Sequence, residues 1–282
     1  MFDFSYRFVL NTAPGAEEWD EARTAFKPEL LLRGETYRQE VLFDTPPIAH
    51  DVVTVAYDDP RVAFDPSRAF CYMNRVLPAG APLAIADGKL RGHVRWTTDV
   101  PIPILANSKP VIVAGQPMAD IGTYTWMSLT PMEFLTLRRG VQMAQGEVMI
   151  GGLGLGWLLG RVCAKDSVQR VRVVDLSSDL IAWFRPAIER AYPAVARKQV
   201  EWVADDVWNH LDCFGENTCN VIDIWRDYGD ARGDRNLLRT GRAARRSSCG
   251  AGARTHDARP MAWSASRSDH AVTNVMTTRR LR

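Results

Sequence analysis

Long hydrophobic runs are scarce in this chain of 282 residues. The longest, residues 148–159, is broken by four glycines, whereas a bilayer-spanning helix needs about 20 mostly apolar residues, so no membrane segment is expected. Cysteine is sparse too: Cys71, Cys163, Cys213, Cys219 and Cys249 are scattered and odd in number. That excludes a paired disulfide framework and the close spacing of a metal knuckle, and it points to a reduced, cytoplasmic setting. The N-terminus has no basic stretch followed by an apolar one and a small-residue cleavage site, so no export signal is expected. His50, His93, His210, His256 and His270 stand alone; they suggest neither a metal site nor a nucleophile–base pair, and no metal is expected. Repeats are absent. The formal charge of +2 averages a balanced body with a basic tail and says little about partners.

What is present falls into three regions. Residues 1–130 mix frequent prolines with short β-prone runs such as 52–57 and 110–113, a β-rich N-terminal region. Residues 131–230 open on Thr130-Pro131-Met132-Glu133, a cap, a first-turn proline and an early acid, which predict a helix to about residue 145. Apolar strands then alternate with helical stretches, the pattern of βαβ units around a parallel sheet. Strands are expected at 148–150, 171–174, 200–203 and 221–225, with helices at 157–164 and 178–191, the latter kinked at Pro186. The fold class is therefore α/β, a Rossmann-like parallel sheet that is incomplete towards the C-terminus, where no strand pattern follows Tyr228.

Residues 231–282 differ again. From Asn236 on there are ten arginines, two acids and no lysine, with too little periodic apolar sequence to fold alone. Disorder is expected there. Three origins stay open: GC-rich DNA read out of frame, a linker-like tail, or a basic nucleic-acid arm, although such arms usually carry lysine as well.

The segment with chemistry in it is Val148-Met149-Ile150-Gly151-Gly152-Leu153-Gly154-Leu155-Gly156, a buried strand running into a glycine-rich turn and a helix. Glycines admit the backbone angles such a turn needs and let a ligand approach the main chain. Asp175 closes the second strand about 20 residues further on, where a ribose diol would be held; it could equally help Ser177 and Ser178 cap the next helix. A dinucleotide fingerprint would place a third glycine at position 159, which is Leu159, so the nicotinamide reading is weakened.

Taken together, the Gly152-x-Gly154-x-Gly156 loop, Asp175, and Val203-Ala204-Asp205-Asp206-Val207 after the third strand resemble the first three motifs of class I S-adenosylmethionine-dependent methyltransferases. The glycine loop is also similar to that of the spermidine synthase branch. The resemblance covers about 80 residues and implies S-adenosylmethionine, or its decarboxylated form, as cofactor. It implies that Gly152, Gly154 and Gly156 pack against the methionine moiety and sugar, that Asp175 binds the ribose, and that Asp206, or else Asp205, accepts from the adenine amino group. In the fourth-strand segment Ile222-Asp223-Ile224-Trp225-Arg226-Asp227-Tyr228, Asp223 or Asp227 would act as general base or hold an amine, and Trp225 would cover the cofactor or stack on substrate. Neither the aspartate-rich turn ending in Asp-Pro that spermidine synthases carry after the fourth strand nor the Asn- or Asp-Pro-Pro-aromatic sequence of amino-methylating nucleic-acid enzymes occurs. The expected activity is methyl transfer to an unnamed acceptor. The alternatives are aminopropyl transfer, with Asp223, Asp227 and Asp230 as an acidic pocket, and a non-catalytic truncated remnant. Expected partners are the small-molecule cofactor, nucleic acid only through the basic tail, and a second copy in a homodimer.

Overall fold

The computed structural model describes residues 29–32, 42–87, 90–122, 125–210, 219–224 and 276–278, all of which fall in one compact unit. Among them, none of the helices is long and apolar enough to cross a membrane.

The N-terminal region is β-rich, as expected. Its strands are β1 (Glu29–Leu32), β2 (Ile48–Ala49), β3 (Thr54–Val55), β4 (Val62–Phe64), β5 (Phe70–Leu77), β6 (Leu83–Asp87), β7 (Leu90–Trp96), β8 (Val100–Asn107), β9 (Lys109–Val113), β10 (Gln116–Asp120) and β11 (Thr125–Ser128). They form three small sheets ordered β1-β7-β6, β3-β10-β9 and β11-β8-β5-β2, with β4 on β5. Ile48, Val55, Cys71, Met73, Ala106, Ala119 and Ile121 make a shared apolar core. The β9–β10 hairpin turns through Ala114 and Gly115, both at positive φ, the geometry that matches strand twist in a two-residue loop. The β-prone run at 52–57 pairs only over Thr54–Val55.

Helix α1 (Pro131–Met143) starts at the expected cap and delivers the chain to the second half. There β12 (Gly146–Gly151), α2 (Trp157–Cys163), β13 (Val168–Asp175), α3 (Ser178–Ala191), α4 (Pro193–Arg197), β14 (Gln199–Ala204) and β15 (Cys219–Ile222) follow in turn. The sheet is ordered β14-β13-β12-β15 with all four strands parallel. The chain steps outward from β12 to β13 and β14, then returns to the other side of β12. That reversal is a topological switch point, and in open α/β sheets ligands bind outside the carboxyl ends of the strands at such a point. Val148, Met149, Ile150, Val171, Val173, Val174, Val221 and Ile222 are all buried, as strands covered on both faces should be. Edge strand β14 has only exposed and half-buried residues instead.

Two expectations are corrected. The fourth strand begins earlier than 221 and ends at Ile222 rather than 225, because its pairing with β12 runs only from Cys219 opposite Val148 to Ile222 opposite Gly151. And a strand does follow Tyr228: β16 (Met276–Thr278) pairs antiparallel with β15, Ile222 opposite Met276 and Asn220 opposite Thr278. Three residues of the Arg-rich tail thus cover a sheet edge that would otherwise present unpaired backbone groups. The parallel part of the sheet still stops at four strands among the described residues, and the remainder of the tail lies outside them.

Candidate functional site

Backbone hydrogen bonds continue past the strand ends and hold the four tips together. Gly152 N donates to Val174 O at 2.8 Å, Asp205 N to Asp175 O at 3.0 Å and Asp223 N to Gly151 O at 2.8 Å. The glycine turn, Asp175, Asp205 and Asp223 therefore share one edge of the sheet.

Within the turn, Leu153 and Leu155 are buried and anchor the loop from below. Gly152 has φ 89°, and a β-carbon there would collide with the main-chain carbonyl of Asp223. Backbone meets backbone at this point, so no side chain can give way. At Gly154, with φ 51°, an added β-carbon would run into the Met127 thioether. Gly156 caps α2 in the left-handed region, and its missing side chain leaves room for Ile188 of α3, 2.6 Å from where a β-carbon would sit. Backbone packing within the chain requires glycine at Gly152, while at Gly154 and Gly156 the positive φ favours glycine and the neighbours are side chains.

Asp175 uses both carboxylate oxygens on this framework. Oδ2 accepts from Leu153 N at 2.9 Å, and Oδ1 accepts from Ser177 N at 2.9 Å. Ser177 is the N-cap of α3, its hydroxyl accepting from Leu180 N at 3.1 Å. Asp175 therefore ties the glycine turn to the next helix start, and the capping role weighed from sequence belongs to Ser177 with Asp175 beside it. A carboxylate offers about four acceptor positions, so capacity remains for a diol.

The two aspartates after β14 divide their work. Asp205 is held by His210 Nε2 at 2.9 Å, by Asn209 Nδ2 at 3.2 Å and by Asp206 N at 2.7 Å. The His210 hydrogen bond, helped by the Asp206 amide, draws its carboxyl below the ordinary carboxylate value. Asp206 is exposed and caps the short turn Val207–Asn209 through Oδ1, which accepts from Trp208 N at 3.0 Å. Of the pair, Asp206 has the less committed carboxylate.

Asp223 sits just beyond β15. Its Oδ1 is sealed from solvent and accepts no hydrogen bond among the described residues. Burial first, and then the negative charge of Glu133 in the first turn of α1, pushes its carboxyl well above the ordinary range. A carboxyl whose proton affinity is raised is a stronger base than an ordinary carboxylate, which suits Asp223 to proton transfer. Trp225 and Asp227 lie outside the described residues.

Sequence reasoning found the acids and glycines but missed Met127, Glu133, Leu176 and Ile224. Leu176 is 80% exposed directly after Asp175, and Ile224 is 41% exposed directly after Asp223. Each leaves a large apolar side chain open beside a strand-tip acid, and a lone leucine between Asp175 and Ser177 was a signal available in the sequence. Met127 belongs to the N-terminal region and left no local trace. Among the described residues, no group of three His, Cys, Asp or Glu could hold a metal ion.

No known family profile matches the chain, and no curated protein does. Solved structures give remote likenesses. The 23S rRNA methyltransferase ErmE is 17% identical with a TM-score of 0.24, covering 35% of this chain and 49% of that one. A COG1565 superfamily member and likely methyl transferase from Burkholderia thailandensis, bound to S-adenosyl-homocysteine, is 23% identical with a TM-score of 0.20, covering 29% and 20%. Spermidine synthase in complex with the transition state analogue AdoDATO is 12% identical with a TM-score of 0.33, covering 64% and 68%. The chain thus spans less than half of the first structure's length and a fifth of the second's. What locates the site is the chain's own strand order and the residues at its strand tips.

Proposed function

We propose that the chain binds S-adenosylmethionine at the carboxyl ends of β12 to β15 and transfers its methyl group to an acceptor. The observation that carries this reading is the Asp175 carboxylate, which closes the second strand, holds the glycine turn through Leu153 N and keeps acceptor capacity for the ribose hydroxyls. Gly152, Gly154 and Gly156 would let the methionine moiety approach the backbone, and Asp206 in preference to Asp205 would accept from the adenine amino group. The cofactor supplies an electrophilic methyl group on a sulfonium centre, and the protein's part is alignment and proton handling. Asp223, with its carboxyl raised by burial, is the residue that would hold or take the acceptor's proton. Asp227 and Trp225 would complete the acceptor side.

A second reading is favoured by one observation, the proximity of Glu133 to Asp223 that helps raise the Asp223 carboxyl. Two neighbouring acids suit a cationic amine, which would let both ionise. That arrangement fits aminopropyl transfer from the decarboxylated cofactor. Equilibrium dialysis with S-adenosylmethionine and decarboxylated S-adenosylmethionine separates the two. Preference for the carboxylated form supports methyl transfer, the reverse preference supports aminopropyl transfer, and retention of neither by the folded chain leaves a non-catalytic remnant.

A further inference from the structure

The side chain lying on the glycine turn comes from outside the cofactor half. Met127 stands on β11, where the pairing with β8 slips between Thr125 and Met127 so that Trp126 is left out of the ladder. Bulges of this kind re-aim side chains and occur beside functional sites. Met127 Sδ accepts the Leu155 N–H at 3.2 Å, and the thioether fills the space that a β-carbon on Gly154 would need. A thioether is a weak acceptor on a flexible, polarizable stem. A main-chain donor of the ligand-binding turn is therefore satisfied by a group that an oxygen acceptor would outcompete.

We propose that Met127 is a displaceable placeholder: it occupies the seat over Gly154 when no ligand is bound, and an oxygen acceptor of the ligand takes the Leu155 N–H as the thioether swings away. The inference rests on the S-adenosylmethionine reading for the ligand's identity, while the thioether seat stands on the geometry alone. Displacement would tie cofactor binding to the position of β11 and hence to the N-terminal region, and it makes Met127 a competitor of the ligand.

The test uses the full chain, with Met127→Ala and Met127→Leu as variants, the latter keeping the bulk without the sulfur acceptor. In the ligand-free protein both variants should shift the Leu155 amide resonance; an unchanged resonance overturns the thioether seat. In calorimetric titration with S-adenosylmethionine, Met127→Ala should bind about three- to tenfold tighter than wild type, because the competing conformer no longer reduces the binding-competent fraction. Saturating wild type should move the Met127 ε-methyl resonance. Wild-type binding that is equalled or weakened in Met127→Ala overturns the displacement while leaving the cofactor reading in place. No binding by either folded chain overturns the cofactor reading and the displacement with it.

Discussion

At the carboxyl end of the sheet, the tips of β12 and β15 and the tips of β13 and β14 carry the same residue type in opposite electrostatic settings. At the tips of β12 and β15 the backbones touch, the Asp223 Oδ1 is sealed from solvent without a donor among the described residues, and the Asp223 carboxyl is driven up by burial and by Glu133. At the tips of β13 and β14 the acids are partly open and have donors: Asp175 has two backbone amides, and Asp205 has His210, Asn209 and an amide that draw its carboxyl down. One parallel strand order brings both to the same end of the sheet, where the local donors around each carboxylate, and not the strand's place in the sheet, set the difference. A dry half suited to proton handling beside a hydrogen-bonded half suited to holding a polar ligand is the division that separated carboxyl environments provide.

The largest way to break the contrast is at its dry end. Gly152→Ala forces a side chain onto the Asp223 carbonyl at positive φ, and the chain should lose roughly 3 kcal/mol or more of stability in urea unfolding. Next comes Asp175→Ala, which strands Leu153 N and removes the tie to α3. A loss of about 1–3 kcal/mol of stability is expected by the same measurement.

A pH titration of stability sharpens the comparison, since the two acids should act with opposite sign. Asp223 keeps its proton in the folded chain above the ordinary value of 3.8, so its contribution favours folding below that value and is lost as pH rises through the folded value. Asp223→Asn should flatten that decline, and under the proposed methyl-transfer reading it should also abolish transfer. Asp205 behaves conversely: its contribution is present above 3.8 and is lost as pH falls through the lowered folded value. With the Asp205 side chain 44% exposed, His210→Ala should cost no more than about 1 kcal/mol. The smallest effect belongs to the edge pair Arg172–Glu201, joined at 2.9 Å between β13 and β14. Breaking it by Glu201→Gln should change stability by about 0–1 kcal/mol.

Much of the α/β half was legible because buried parallel strands are short continuous apolar runs. The runs around 148, 171 and 200 became β12, β13 and β14, with edges displaced by one to three residues where pairing outlasted the apolar stretch. Ser178–Ala191 was readable from its cap and 3.6-residue periodicity, and it tolerates Pro186 within it. The strand-tip acids were legible because a carboxylate that ends a short apolar run marks the point where a strand leaves the sheet. What was not legible is tertiary. Nothing local to Met127 says that its sulfur meets an amide 28 residues away, and nothing near Asp223 announces Glu133 on a helix 90 residues earlier. Strand β16 escaped because three residues in an Arg-rich tail have no periodicity to read; the partner edge on β15 makes the strand.

The most direct test is calorimetric titration of the chain and of its Asp175→Ala variant with S-adenosylmethionine and S-adenosylhomocysteine. Micromolar binding by the wild type, weakened at least about tenfold in a variant that remains folded, is the predicted result. Binding that is indifferent to Asp175, or no binding by the folded wild type, would contradict a cofactor site at these strand tips.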